Sequence, residues 1–308
     1  MTKATRVLVT GAGGQVGVDL VDMLNGAFPL GSDPAFSPDH LAVGENEFEV
    51  LGLTHHDLDI TNEELVQRAI ATTRPDVIVH LAAYTAVDRA ETDQEACYAV
   101  NESGTKYLSR AAAENGAHLI AVSTDYVFDG EKGTSYLEAD ATNPQSVYGR
   151  SKLAGEQACT PNDTIVRTSW VMGVRGKNVV HIIAERAKSG QAVRFVSDQT
   201  GTVTSAADLA RALVTLVRTQ PGGIWHVANT GTTTWFEIAA YVGELLGRDQ
   251  DFATPITTSE LDPAPLAKRP IRSDLNTTKW QERFDALPDW RDAVARLVRD
   301  REKLIVND

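Results

Sequence analysis

The sequence predicts an α/β protein: a doubly wound, Rossmann-like parallel sheet with a smaller C-terminal α/β part that binds substrate. Three observations predict it. Short β-rich runs alternate with helical stretches through the first half. Those runs are apolar without the polar alternation of a half-exposed strand, as expected where helices cover both faces of a parallel sheet. A glycine-spaced turn follows the first run, the place where such sheets bind phosphate. At 308 residues, 42% hydrophobic and 23% charged, the chain has ample material for one large core or two modest ones.

In order, the run "RVLVT" (6–10) is followed by helical "GVDLVDML", and "FEVLGL" (48–53) by "NEELVQRAIAT". "DVIVHLAA" (76–83) precedes a long helical pattern from Glu91 to Asn115, and "HLIAVST" (118–124) follows. Asn143-Pro144 supplies an N-cap and a first-turn proline for the next helix, which Thr160-Pro161-Asn162-Asp163 stops before "TIVRTSW" (164–170). The second half carries helical 205–218, strand-like 223–229, helical 234–246 and a last helix near 290–303. The Pro-bearing stretch 253–274 reads as ordered loop, and 26–46, rich in Pro and Gly, as a surface insertion. No flexible linker divides the halves. Residues 1–168 are expected to form mainly the dinucleotide-binding part. Residues 169–308 form mainly the substrate part, with some segments returning to the first.

A formal net charge of −13 argues against a nucleic-acid or anionic-membrane binder, which needs a basic patch. No stretch approaches the ~18 apolar residues of a membrane span, and the N-terminus runs into a strand with no signal peptide. Cys97 and Cys159 cannot build a disulfide framework and suit a reducing cytoplasm. The histidines show no ligand spacing, so no catalytic metal is expected.

Gly11, Gly14 and Gly17 follow the first strand at G-x-x-G-x-x-G spacing. Such glycines permit a tight turn and close approach to a pyrophosphate, and the helix behind them offers free N–H groups and a positive dipole end. No Gly-Lys-Ser/Thr follows, which excludes a P-loop. After the second strand, "GLTHHDLDIT" (52–61) gives neither an acid at the strand end nor an arginine to choose between NADH and NADPH. His55-His56 could meet a phosphate or be ordinary loop. Asp59 could meet an adenine or belong to a helix cap. Tyr148 and Lys152, four apart on one helix face, can reach one point, where a cation would favour tyrosinate and suit a general acid. Such a pair alone is also a common accident of sequence.

The glycines, "HLAAYTAVDRAE" (80–91), "STDYVFDG" (123–130) and Tyr148-x-x-x-Lys152 together resemble the extended short-chain dehydrogenase/reductase superfamily. Within it, "GQVG", "AAYTAVDRAE", "STDYVFDG", "RTSWV" (167–171), "DQTGTVTSAADLA" (198–210) and "RPIRSDL" (269–275) resemble the dTDP-4-dehydrorhamnose reductase family over nearly the whole chain. The resemblance implies reduction of the C4 keto group of dTDP-4-dehydro-L-rhamnose by NADPH or NADH. It makes Thr124, Tyr148 and Lys152 the catalytic set, with Tyr148 as proton donor. It places the dinucleotide on Gly11, Gly14, Gln15, Val16, Gly17, Asp59, Ile60, Leu81, Ala82, Ala83, Tyr84, Asn101, Tyr148 and Lys152. It places the nucleotide sugar on Val87, Thr124, Asp125, Trp170, Asn178 and Arg269. Each has a plainer reading too: an Ala pair for strand–helix packing, a core Trp, a solvated Arg.

Three departures stand out. Val203 replaces the proline of the family pattern "DQ-x-G-x-P-T". Asp19 and Ala207 stand where some members carry acids for a structural Mg2+ linking a dimer. These leave a monomer or homodimer open. Two rival readings are a reductase or epimerase of another nucleotide sugar, and a non-catalytic dinucleotide-binding subunit like the regulatory subunit of methionine adenosyltransferase, which resembles the same family.

Overall fold

The computed structural model describes residues 3–32, 43–44 and 46–307, with side chains to residue 304. Most of the 26–46 insertion, residues 33–42 and 45, lies outside the described residues. Its flanks are anchored. Gly31 N donates to Asp300 Oδ2 at 3.0 Å, Arg296 donates to the Gly31 carbonyl, and Glu47 accepts from Arg218 at 2.7 and 2.9 Å.

The first half runs β1 (Thr5–Thr10), α1 (Gln15–Leu24), β2 (Phe48–Leu53), α2 (Glu63–Thr73), β3 (Val77–His80), α3 (Val87–Ala90) and α4 (Gln94–Tyr98). A π-helical turn over Ala99–Gly104 leads into α5 (Thr105–Asn115), β4 (His118–Thr124), α6 (Val147–Ala158) and β5 (Thr164–Thr168). The second half supplies β6 (Val171–Met172), α7 (Val179–Lys188), β7 (Val193–Val196), β8 (Thr200–Gly201), β9 (Thr204–Ser205) and α8 (Ala206–Thr219). It ends with β10 (Gly223–His226), β11 (Thr233–Thr234), α9 (Trp235–Leu245), β12 (Ala253–Ile256), α10 (Thr278–Arg283) and α11 (Trp290–Asn307).

The main sheet has the order β10-β5-β4-β3-β1-β2, every pair parallel. Alternate residues serve its two faces, as the pleat dictates. Val7, Val9, Val77 and Val79 pack with α1 and α8 on one side; Leu8, Ile78 and Leu119 pack with α2 and α5 on the other. A helix and a strand from the second half, α8 and β10, therefore complete the sheet of the first. A second core gathers Val180, Ile183, Ile238, Val242, Phe252, Trp290 and Val294 from α7, α9, α11 and the turn just before β12.

The helical pattern expected from Glu91 to Asn115 is present as one run from Gln94, in which α4, the π turn and α5 follow one another with helical backbone at each junction. Two local expectations differ from the structure. α6 begins at Val147, not at Pro144, because Ser146 is the cap, its hydroxyl accepting from Gly149 N at 3.1 Å. Asn143 is committed elsewhere, donating to Asp129 Oδ2 at 3.1 Å. Within 253–274, residues 253–256 form β12 beside β7 in a two-stranded pair, where Pro255 costs little because, among the described residues, the other side of the strand has no partner.

Candidate active site

β1 has β2 on one side and β3 on the other, so the connections diverge at its C-terminal end and leave a crevice there. A cleft of about 1140 Å³ occupies that crevice. Gly11 follows β1 with φ +70°, a conformation glycine adopts without penalty. A Cβ on it would lie 2.6 Å from Ala82 N, so the turn after β1 and the segment after β3 touch backbone to backbone. A Cβ on Gly17 would lie 2.2 Å from the Gly11 carbonyl oxygen, so Gly17 lets α1 start against the turn. The first intrahelical bond runs from Val18 N to Gly14 O at 3.0 Å, which leaves the N–H groups of Gln15, Val16 and Gly17 ahead of it. Among the described residues no side chain caps this end, and no acid sits in its first turn. Exposed donors at a positive helix end, lining a cleft, suit the pyrophosphate of a dinucleotide.

Ile60, Leu81, Ala82, Ala83 and Tyr84 line the cleft with these glycines, as do Thr54, His55, His56 and Asp59. Asp59 turns its Oδ1 to the N–H and hydroxyl of Thr61, at 2.9 and 2.7 Å, and Asn62 caps α2. The Asp57 carboxylate is likewise taken by Thr54 N and Oγ1, at 2.8 and 2.6 Å.

Thr124 closes β4, and Tyr148 and Lys152 face the same cleft from α6. Lys152 Nζ donates to the Val122 carbonyl at 2.7 Å, and burial pulls the ammonium down to about 8 against the opposing field of Glu156. The Tyr148 phenol is pushed up to about 12, chiefly by burial, with a hydrogen bond to Thr124 working the other way. The depression expected from a neighbouring ammonium is therefore not what this arrangement gives, because Lys152 is turned to backbone. Asp125 lies behind the wall, 1% exposed; it accepts from Ser273 Oγ at 2.5 Å and from Thr124 Oγ1 at 3.1 Å. Burial raises its carboxyl to about 7. Asn101, buried in the π turn, clamps Tyr84 through both backbone groups, at 2.9 and 3.1 Å, and donates to Ser151 Oγ at 3.0 Å.

Of the residues expected to meet the sugar nucleotide, Trp170 lines the cleft and Val87 does not. Asn178 is also away from the wall. It caps α7 through His181 N (3.2 Å) and donates to Gly173 O and Gln15 Oε1, at 2.7 and 3.3 Å. Arg269 is likewise off the wall, its fork taken by Asp88 at 2.7 and 3.1 Å. The placement of Arg269 rests on a contact far apart in sequence, that of Asn178 mainly on local ones.

A family model described as the RmlD substrate binding domain matches residues 40–302. A dTDP-4-dehydrorhamnose reductase of Aggregatibacter actinomycetemcomitans is 36% identical over 95% of this chain and 98% of its own. The chain belongs to the dTDP-4-dehydrorhamnose reductase family. A probable dTDP-4,6-dihydroxy-2-methyloxan-3-one 4-ketoreductase of Streptomyces antibioticus is 38% identical, over 96% of this chain and 95% of its own. Among solved structures, the dTDP-4-dehydrorhamnose reductase of Bacillus anthracis in complex with NADP superposes with a TM-score of 0.82. It is 31% identical and covers 99% of this chain and 100% of its own.

The wall also holds Thr10, Ser123 and Ser169, which lie inside stretches quoted above, and Gly13, Arg175 and Gly176, which lie in none of them. Among the described residues, no group of three or more His, Cys, Asp or Glu is placed to hold a metal ion. Asp19, where the family resemblance would put a magnesium ligand, is buried with its Oδ1 3.7 Å from Arg175 Nη1, and burial raises it to about 7. The structural Mg2+ therefore finds no support here. Among the described residues, no helix is long and apolar enough to cross a membrane.

Proposed function

We propose that the chain reduces the C4 keto group of dTDP-4-dehydro-L-rhamnose to dTDP-L-rhamnose, with Tyr148 as proton donor and NADPH or NADH as reductant. The observation that carries this is the convergence of Thr124, Tyr148 and Lys152 on the cleft that the uncapped end of α1 opens onto. Residues 1–168 mainly hold the dinucleotide and 169–308 mainly the sugar nucleotide, with α8 and β10 returning to the first part. Gln15–Gly17 would meet the pyrophosphate, and Leu81–Tyr84 the nicotinamide side.

When bound, the dinucleotide supplies the hydride that reduces the carbonyl carbon. Tyr148 gives its phenolic proton to the oxygen as the C=O π bond opens, so the product leaves as an alcohol. Thr124 holds that oxygen in reach of the phenol. Lys152, held on the Val122 carbonyl beside the nicotinamide side, would bind ribose hydroxyls with its charged ammonium. A positioned general acid of this kind supplies a rate factor of about 10²–10⁴. Both cysteines are free, in keeping with a cytoplasmic enzyme. The likeness to a Streptomyces antibioticus 4-ketoreductase favours, as the second reading, reduction of another dTDP-keto sugar.

The test follows dinucleotide oxidation with purified protein, NADPH or NADH, and dTDP-4-dehydro-6-deoxyglucose with and without a matching 3,5-epimerase. Oxidation that requires the epimerase is the expected result. Oxidation without it moves the assignment to the second reading, and none under any condition overturns both.

A further inference from the structure

We infer that Trp235 is a positioning residue for sugar recognition, fixing Trp170 as a rigid wall of the cleft and so governing which sugar is accepted. The inference rests on the reading of the cleft as a nucleotide-sugar site. Trp170 lines the cleft at the end of the segment that follows β5. Its backbone is left-handed, φ +43°, which a bulky residue holds only when its surroundings impose it.

Three contacts impose it. Trp235 stacks on the indole with ring centroids 4.1 Å apart and planes 19° from parallel. Gly201 presses on the same ring: a Cβ there would fall 2.5 Å from Trp170 Cζ2. Thr204 N donates to the Trp170 carbonyl at 3.3 Å.

Two of these contacts share one origin. Gly201 in β8 pairs with Thr233 in β11, and Thr234 then caps α9, whose first residue is Trp235. The cap is a reciprocal box in which Thr234 Oγ1 accepts from Glu237 N at 3.1 Å and Glu237 Oε2 accepts from Thr234 N at 2.8 Å. The β8–β11 ribbon and its cap thus grip the Trp170 indole as one unit. Trp235 does not line the cleft, so it acts through Trp170 and not on the sugar. An aromatic wall recognises the apolar face of a sugar by area and angle, so loosening the ring weakens sugar binding and lets other sugars in. The nicotinamide side, built from β1, β3 and α6, has no part in this grip.

The experiment compares steady-state kinetics of the parent, Trp235→Ala, Trp235→Phe and Gly201→Ala with the keto-sugar nucleotide and the dinucleotide. The expected result for Trp235→Ala is an increase of about tenfold in KM for the sugar nucleotide, ~1.4 kcal/mol, with kcat and KM for the dinucleotide within about twofold of the parent. Trp235→Phe keeps an aromatic partner and recovers most of the loss. Gly201→Ala displaces the indole from its other contact and reproduces the split, which decides the matter should Trp235→Ala fail to fold. A difference circular dichroism spectrum, parent minus Trp235→Ala, reads the stacked pair above the Trp225–Trp280 pair that remains, and that difference band marks loss of the stack. An unchanged sugar KM with that difference band present overturns the inference, as does an equal rise in both KM values. A parent that turns over no keto-sugar nucleotide overturns the functional reading itself, and this inference with it.

Discussion

Lys152 Nζ donates to the Val122 carbonyl at 2.7 Å, so the ammonium of α6 is tied to the strand that ends in Thr124. Glu156 and Cys159 face it from its own helix and the residue after it, Cys97 from α4, and His80 from β3. His80 is held neutral by burial, its ring pulled down to about 3.

The first prediction concerns pH. Burial places the Lys152 ammonium at about 8, below its ordinary 10.5, and the proposed mechanism needs the charged form. Activity in kcat/KM should fall as pH rises through about 8. The stability contribution has the opposite sense. The folded state releases this proton before the unfolded state does, so the cost of the buried charge is full below about pH 8 and relieved between 8 and 10.5. A kcat/KM profile that stays flat to pH 10 contradicts the assignment. Thermal melts of parent and Lys152→Met across the same range check the stability sign, the gap between them narrowing as pH rises.

The second concerns the ion pair beside that lysine. Arg167 meets Glu156 through Nη2 at 2.7 Å and through Nε at 3.0 and 3.2 Å, both side chains almost fully buried, and Ser123 Oγ donates to Glu156 Oε1 at 2.5 Å. Glu156→Ala leaves the guanidinium buried without its partner and should cost about 3–5 kcal/mol in urea unfolding. Replacing both residues with leucine should recover much of that loss. A Glu156→Ala midpoint equal to the parent's would show that the pair is not the structural tie described.

The third tests the turn after β1. In Gly17→Ala the new methyl would sit 2.2 Å from the Gly11 oxygen, so the turn must open. Dinucleotide affinity should fall at least about tenfold, ~1.4 kcal/mol, while dTDP binding stays within about twofold. Calorimetric titration of each ligand separates the two; equal losses would place the damage elsewhere.

The sheet was legible because its evidence is local. Apolar runs such as Val7–Val9 and Val77–Val79 report burial on both faces, and Gly11, Gly14 and Gly17 report a backbone contact that any side chain would block. What stayed hidden depends on partners far along the chain. The π turn at 99–104 goes with the two-way clamp of Asn101 on Tyr84, which a helical pattern from Glu91 to Asn115 cannot announce. Ser146 took the cap of α6 because Asn143 was drawn to Asp129. Arg269 had a motif position pointing to substrate, yet Asp88, 181 residues away, holds its fork, while Asn178 is spent on capping α7 and on the Gly173 carbonyl. The Trp170–Trp235 stack joins residues on either side of α8 and β10, and neither tryptophan predicts the other.

The most direct test of the central claim is the turnover of Tyr148→Phe beside that of the parent, with dinucleotide affinity measured on both. Removing one hydroxyl deletes the proton donor and leaves the ring against Tyr126, whose centroid is 5.8 Å away. The account predicts a fall in kcat of about 10²–10⁴ with dinucleotide binding unchanged. Turnover equal to the parent's would mean that the proton comes from another group and that the proposed mechanism is wrong.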